Sequence, residues 1–199
     1  MLTNKKHNII ILILCLLSFM AGCSSPPTET MNGQEWQEDW IKIGTGIGVD
    51  ASESLVLLDN KEALAADGLY YAAWGTGSSS PYENSEGDTV DLYDAQLYLL
   101  VNEADTEDNA EKNCQTWLAS AEDNYEVLTK DTITCNGQPY TIITYNCIGE
   151  DTPYDHGVSA LGVCGETAVC AELTCVKGCS EDLTQLLTEF LNGCHYRAG

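Results

Sequence analysis

Alternation of apolar and polar residues runs through much of the chain and predicts β-strands. The clearest segment is 89–101, TVDLYDAQLYLLV, which has the period of two expected of a strand. Its predicted buried face consists of Tyr93, Ala95, Leu97, Leu99 and Val101. Further strands are predicted at 40–49, 54–58, 69–75, 125–135, 139–147, 157–164 and 166–175. Asn136-Gly137 is a strong turn signal, so 125–135 and 139–147 are predicted to form a hairpin.

Two long segments change to the helical period. Residues 106–122 place their apolar side chains on one stripe, and Thr106 before them is a residue type that caps helices. Residues 180–193 show a stronger apolar stripe, with Ser180 as the predicted N-cap and Gly193 at the predicted end. The chain is therefore predicted to close with a C-terminal helix.

Two weaker patterns lie in the first half of the chain. Asp59 is predicted to cap a short helix over 60–66 that ends at Gly68. Residues 76–88, TGSSSPYENSEGD, are polar and contain several turn-forming residues, which predicts a long loop.

This order of elements predicts an α+β fold with a mostly antiparallel sheet and packed helices, including the C-terminal helix. Over residues 40–192 the order is similar to that of PsbP-like α/β/α sandwiches, which also end in a strand meander and a long helix. The resemblance rests on element order and transfers no functional residue. A cystatin-like fold or a generic two-layer sandwich fits the same order.

The N-terminus has a different pattern, a basic start followed by a short apolar run. Lys5 and Lys6 precede the apolar residues 9–19, which are too few to span a bilayer comfortably. The run leads into Met20-Ala21-Gly22-Cys23, which resembles the cleavage box of a bacterial lipoprotein signal peptide. The resemblance implies cleavage before Cys23 and attachment of acyl chains such as palmitate to the new N-terminus.

This signal divides the chain into three predicted parts. Residues 1–22 are a signal peptide, residues 23–35 are a lipidated N-terminus with a flexible Ser/Pro/Thr-rich spacer, and residues 36–199 are a single α+β domain. The domain is expected outside the cytoplasm, anchored to the cell membrane or the outer membrane. A plain secretory signal or an uncleaved anchor helix would also place it outside the cytoplasm.

The charge balance narrows the class of partner. The chain has 31 Asp and Glu against 8 Lys and Arg, a formal net charge of −23 at pH 7. Such a surface repels phosphate backbones, so nucleic-acid binding is excluded. It also repels anionic headgroups, so we expect the lipid anchor and not surface charge to hold the protein at a membrane.

The ten cysteines predict a disulfide framework in the second half of the domain. Cys15 falls in the signal peptide and Cys23 is the lipidation site, so an even number remains. The predicted disulfide cysteines are Cys114, Cys135, Cys147, Cys164, Cys170, Cys175, Cys179 and Cys194. Their pairing stays open with one restriction. Cys179 and Cys194 flank the last predicted helix, about 20 Å apart, whereas disulfide Cα atoms lie within about 7 Å.

No catalytic residue, metal site or cofactor is assigned. Cys175-Val-Lys-Gly-Cys179 is one residue longer than the motif of thiol–disulfide oxidoreductases. The alternative function is therefore an envelope thiol–disulfide enzyme, or another enzyme, that uses this pair. The favoured function is non-catalytic binding or accessory work at the cell envelope, with a protein, peptide or sugar as ligand. Trp74, just before the predicted loop, and Tyr82, within it, are the candidate binding residues, because Tyr and Trp are common at interfaces. The competing interpretation is that these aromatics are half-buried strand residues.

Overall fold

The computed structural model describes residues 37–64, 68–84, 87–148 and 152–196. The predicted signal peptide, the lipidation site Cys23 and the spacer lie outside these described residues. The described strands are β1 Ile41–Ile43, β2 Ile47–Val49, β3 Val56–Leu64, β4 Leu69–Glu83, β5 Thr89–Glu103, β6 Tyr125–Cys135, β7 Gln138–Cys147, β8 Tyr154–Cys164, β9 Thr167–Val176 and β10 Cys194–Tyr196. The helices are α1 Glu107–Asn124 and α2 Leu183–Asn192.

A seven-stranded sheet in the order β3-β4-β5-β9-β8-β7-β6 forms the centre of the fold. Every neighbouring pair in it is antiparallel. After β5 the chain crosses through α1 to the far edge at β6, and the meander β6 to β9 then returns until β9 pairs with β5. The predicted α+β class with a mostly antiparallel sheet is confirmed.

Helices cover both faces of the central sheet. We call the two sides the α1 face and the α2 face. On the α1 face, Ala110 and Trp117 of the helix pack with Leu100, Leu161 and Cys170 of the sheet. On the α2 face, the second helix packs together with a small sheet of order β1-β2-β10. The larger hydrophobic core therefore lies on the α2 face.

The long helix predicted from residue 106 is confirmed together with its cap. The Thr106 hydroxyl accepts a hydrogen bond from the Asn109 amide at 3.3 Å. The C-terminal helix begins slightly later than predicted, because Asp182 and not Ser180 is its N-cap. The Asp182 carboxylate accepts from the Gln185 amide at 3.0 Å, and a carboxylate at this position also compensates the helix dipole.

The short helix predicted over 60–66 is wrong where the chain is described. Strand β3 continues to Leu64 and pairs with β4 from Val56 opposite Gly75 to Leu64 opposite Leu69. The predicted cap Asp59 instead accepts a hydrogen bond from the Tyr71 hydroxyl at 2.9 Å. Cross-strand hydrogen bonds to β4 thus override the local helix signal.

The long loop predicted over 76–88 is also wrong for most of its length. Strand β4 continues to Glu83 and pairs with β5, which begins at Thr89. The register of this pairing shifts near Gly77. There the Ser78 amide donates a hydrogen bond to the Asp94 carboxylate at 2.7 Å. The paired segments of β4 and β5 are mainly exposed here, so polar side chains are compatible with a two-stranded β-ribbon.

Candidate binding site

A recess opens on the α1 face where helix α1 ends. The helix covers the sheet around Leu100 and Leu161 but stops at Asn124, beyond which the sheet face carries polar and tyrosine side chains. We call this opening the Glu172 recess. It is lined by Tyr98, Asn124, Tyr125, Cys147, Ile148, Thr152, Tyr154, Glu172 and Thr174.

Strand register places the central groups of the recess side by side. Glu172 on β9 lies opposite Tyr98 on β5 and opposite Ser159 on β8. Two residues further along β9, Thr174 lies opposite Gln96 and Gly157. Residues two apart on a strand share a face, so these two rows form one polar patch on the sheet.

The Glu172 carboxylate is partly buried and is held by two hydroxyl groups. The Tyr125 and Ser159 hydroxyls each donate to it at 3.2 Å. Within the described ranges, no basic side chain forms an ion pair with it. Burial raises the pKa of the Glu172 carboxyl above its ordinary value, and the donated hydrogen bonds partly offset this rise. A carboxylate in this position is therefore poised to gain a cationic or hydrogen-bond-donating partner.

The hydroxyl protons of Tyr98 and Tyr154 are also committed. The Tyr98 hydroxyl donates to the Gln96 side-chain carbonyl at 2.8 Å, and the Tyr154 hydroxyl donates to the same oxygen. Burial raises the pKa of both tyrosines, so both stay protonated at neutral pH. What these hydroxyls can still offer is lone pairs, so the recess is rich in hydrogen-bond acceptors.

Tyr145 packs underneath the recess without a polar partner. Its ring stacks on Tyr125 with ring centroids 4.1 Å apart, and its buried hydroxyl has no hydrogen-bond partner in the described part of the chain. A Cβ atom added to Gly157 would lie 2.5 Å from that hydroxyl. Glycine is thus required at 157 so that Tyr145 can lie flat against β8.

Replacing Gly157 with alanine should therefore destabilise the protein. Overpacking of this kind costs about 1–3 kcal/mol of unfolding free energy, which denaturant unfolding can measure. Gly46→Ala is the matched control, because the nearest atom to its added Cβ is 3.5 Å away. Equal losses in the two variants would contradict the proposed contact.

The structure separates the two residues that the sequence predicts for binding. Trp74 is fully buried on the α2 face and meets Phe190 edge-on, with ring centroids 5.0 Å apart. Its place in a binding surface is therefore corrected, since it points into the core. Tyr82 is partly exposed near the end of β4, about 26 Å further along the strand. The two residues do not form one site.

Two of the predicted disulfide cysteines, Cys175 and Cys179, are bonded to each other, with Cα atoms 6.0 Å apart. This pairing agrees with the exclusion of a Cys179–Cys194 bridge. The other cysteines of the predicted framework are thiols here, and their pairing stays a prediction: Cys114, Cys135, Cys147, Cys164, Cys170 and Cys194. Burial raises the thiol pKa of Cys114 to about 11 and of Cys147 to about 12, which suppresses thiolate chemistry.

Removing the Cys175–Cys179 disulfide should lower the unfolding free energy by about 2 kcal/mol, the chain-entropy value for so short a loop. The variant is Cys175→Ala with Cys179→Ala, and denaturant unfolding measures the loss. Wild type unfolded in the presence of a strong reductant should approach the double variant. A double variant as stable as the oxidised wild type would contradict a stabilising bridge.

The described ranges lack two further kinds of feature, a metal-binding cluster and a membrane-spanning helix. Those residues contain no cluster of three His, Cys, Asp or Glu side chains that could hold a metal ion. Among the helices described, none is both long and apolar enough to cross a membrane.

Comparison with known proteins gives matches among solved structures alone. No family model matches the chain, and no curated protein matches it. Among solved structures, the chain is similar to the solution structure of cyanobacterial PsbP (CyanoP) from Synechocystis sp. PCC 6803. The identity is 13%, the match covers 74% of this chain and 95% of that chain, and the TM-score is 0.39. This match transfers no residue role to this chain.

Sequence reasoning missed Glu172 as a site residue. The available signal was a single charged residue inside the strand 167–176, whose other members are Ala, Val, Leu, Thr and Cys. The period of the predicted strand gave no reason to expect the burial of this charged side chain. The partners that bury it come from distant parts of the chain, such as Tyr125 and Tyr98.

Proposed function

We propose that this protein is a membrane-anchored extracytoplasmic lipoprotein that binds a ligand without catalysis, as an accessory protein of the cell envelope. The observation that carries the binding role is the Glu172 recess. It combines a partly buried carboxylate that has no cationic partner among the described residues with tyrosine walls. Tyrosines beside a few placed polar groups are typical of ligand sites.

The anchoring part of the proposal is supported by the sequence. A basic start, an apolar run and Met20-Ala21-Gly22-Cys23 are followed by a Ser/Pro/Thr-rich segment before the folded domain. Two or three acyl chains on Cys23 would hold the protein stably at a membrane. Because the chain is strongly acidic, its surface charge would not contribute to this attachment.

The alternative, an envelope redox enzyme, would use the Cys175–Cys179 bond. Cys175 is fully buried on the α2 face, while Cys179 is partly buried. A disulfide with one sulfur enclosed in a core is a poor target for thiol exchange, since attack requires access. This burial favours a structural role for the bond.

The anchoring proposal is tested on the full chain expressed in a bacterium that processes lipoproteins. We expect the protein in the membrane fraction, with a mass that places diacylglycerol on Cys23. Cys23→Ser should abolish lipidation and shift the chain to the precursor mass. An unmodified mature protein that stays soluble would refute the anchor.

The binding proposal is tested with a chemically diverse ligand library on the purified mature protein in nonionic detergent. Bound ligands should perturb the amide resonances of Tyr98, Tyr154 and Thr174 more than those of distant strands. Glu172→Gln should weaken the effect of ligands that contact the carboxylate, whereas Glu53→Gln, which removes the same charge from an exposed turn, should not. A library without any ligand at these residues would refute a binding role for the recess.

A further inference from the structure

We infer that the Glu172 recess binds a primary ammonium group, with Glu172 as the counter-ion and the tyrosine hydroxyls as acceptors for its N–H groups. This inference rests on the proposed binding function and names the class of its ligand. It is carried by three features of the recess, namely charge, hydrogen-bonding capacity and size.

The charge of the recess favours a cation. Among the described residues that line it, Glu172 is the acidic group, and no basic side chain in the described ranges pairs with that carboxylate. The carbonyl end of α1 lies beside it at Asn124, and the negative end of a helix dipole also attracts positive charge. The net charge of −23 on the chain adds a field of the same sign.

The hydrogen-bonding pattern favours a ligand that donates. The hydroxyls of Tyr125 and Ser159 donate their protons to the Glu172 carboxylate. The hydroxyls of Tyr98 and Tyr154 donate theirs to the Gln96 side-chain carbonyl. The oxygens keep their lone pairs, so a group with several N–H donors and no acceptor is complementary. A primary ammonium has three such donors.

The recess is small, with a cavity volume of about 30 Å³, which favours a small head group with a chain leading outward. Three tyrosines, on β5, β6 and β8, line it together with Glu172. Ile148 lies at the rim and is 52% exposed, so it can contact methylene groups next to the ammonium. The ligand class is therefore an alkyl primary amine, either a free amine or the lysine side chain of a partner protein.

Calorimetric titration with n-butylammonium tests the inference on the purified mature protein in nonionic detergent micelles. One molecule should bind per protein. Glu172→Gln should weaken binding at least about tenfold, the loss expected for a charge-assisted hydrogen bond. Glu53→Gln should leave it unchanged, because this exposed glutamate lies in a turn outside the recess.

Tetramethylammonium provides a test that does not depend on a variant. It carries the same charge without N–H donors, so it should bind at least about tenfold more weakly than butylammonium. Equal binding of the two ions would overturn the donor argument. Displacement of butylammonium by an equal concentration of potassium would show a general cation site and would overturn the inference as well.

A lysine probe with both backbone ends blocked distinguishes the two sources of the ammonium, a free amine and the lysine side chain of a partner protein. Binding of this probe as tight as that of butylammonium would support the inference and assign the ligand to a partner protein. Binding of butylammonium alone would support the inference and assign a free amine. If a neutral or anionic compound perturbs Tyr154 and butylammonium does not, the ligand class is wrong although the recess still binds. If no compound perturbs the recess, both proposals fail.

Discussion

Replacing Trp74 with alanine is expected to lower the free energy of unfolding by about 3–5 kcal/mol. The indole is fully buried between strand β4 and helix α2, where its ring meets Phe190 at 5.0 Å. Its removal leaves a cavity that the surrounding sheet cannot close, because the strands are fixed by their hydrogen bonds on both sides. Since domains of this size are only marginally stable, a large part of the total stability is at risk.

Denaturant unfolding of Trp74→Ala measures this loss, and Tyr82→Ala is its control. Tyr82 lies on the same strand but is partly exposed, so its removal should change the unfolding free energy by about 0.5 kcal/mol or less. The same pair of variants separates core from surface. If Trp74→Ala kept wild-type stability, Trp74 would be a surface residue after all, as its position next to the predicted loop indicated.

Replacing Glu172 with glutamine is expected to stabilise the protein at neutral pH by about 1–3 kcal/mol while it weakens amine binding at least about tenfold. The carboxylate is costly because burial desolvates it and because no basic side chain among the described residues compensates it. Glutamine keeps the shape: its one carbonyl oxygen can accept from one of the two hydroxyls, Tyr125 or Ser159, and its amide NH₂ can donate to the oxygen of the other. The Glu172 carboxylate, the group proposed to bind the ligand, thus lowers the free energy of unfolding.

The pH dependence gives this prediction a definite sign. The folded-state pKa of Glu172 lies above the ordinary value of 4.5, so its contribution to stability is fully present below that value and is lost as the pH rises through the folded pKa. The other titratable groups around it are neutral at neutral pH, because burial raises the pKa of each: Tyr98, Tyr125, Tyr145, Cys147 and Cys170. Asp155 on β8 pairs with His156 instead.

Thermal unfolding of wild type and Glu172→Gln over a range of pH measures this effect. The stability gained by the variant should be absent in acid and should grow towards neutral pH. Glu53→Gln removes one charge from an exposed turn and corrects for general repulsion in an acidic chain. A difference that stays constant with pH would mean that Glu172 does not titrate in this range. Butylammonium should bind more tightly as the pH rises, because it requires the ionised carboxylate.

Sequence patterns predicted the elements that have a strong period or a clear boundary signal. Strand β5 and helix α1 follow this rule, since each has a long apolar stripe and α1 also has its cap at Thr106. The hairpin at Asn136-Gly137 is another case. Both residues have positive φ, 46° and 78°, which Asn and Gly tolerate better than other residues.

The errors lie where long-range pairing decides the structure. Residues 60–64 have a helix-like composition, but β4 binds their backbone and makes them a strand. Residues 79–83 are polar like a loop, but pairing with β5 keeps them extended. Glu172 was missed for the same reason. Its environment is built by strands and a helix end that are distant in sequence, and no local pattern records them.

The path of the chain gives the recess a place in the order of folding. The hairpins on either side of it join strands that are close in sequence, but the pairing of β5 with β9 joins residues as far apart as Gln96 and Thr174, 78 positions along the chain. Contacts of such long sequence separation form slowly, because the intervening chain must first be ordered. Glu172 and Thr174 both lie on β9. A ligand of the recess would therefore recognise only chains in which the last central strand has docked, and binding would report completed folding.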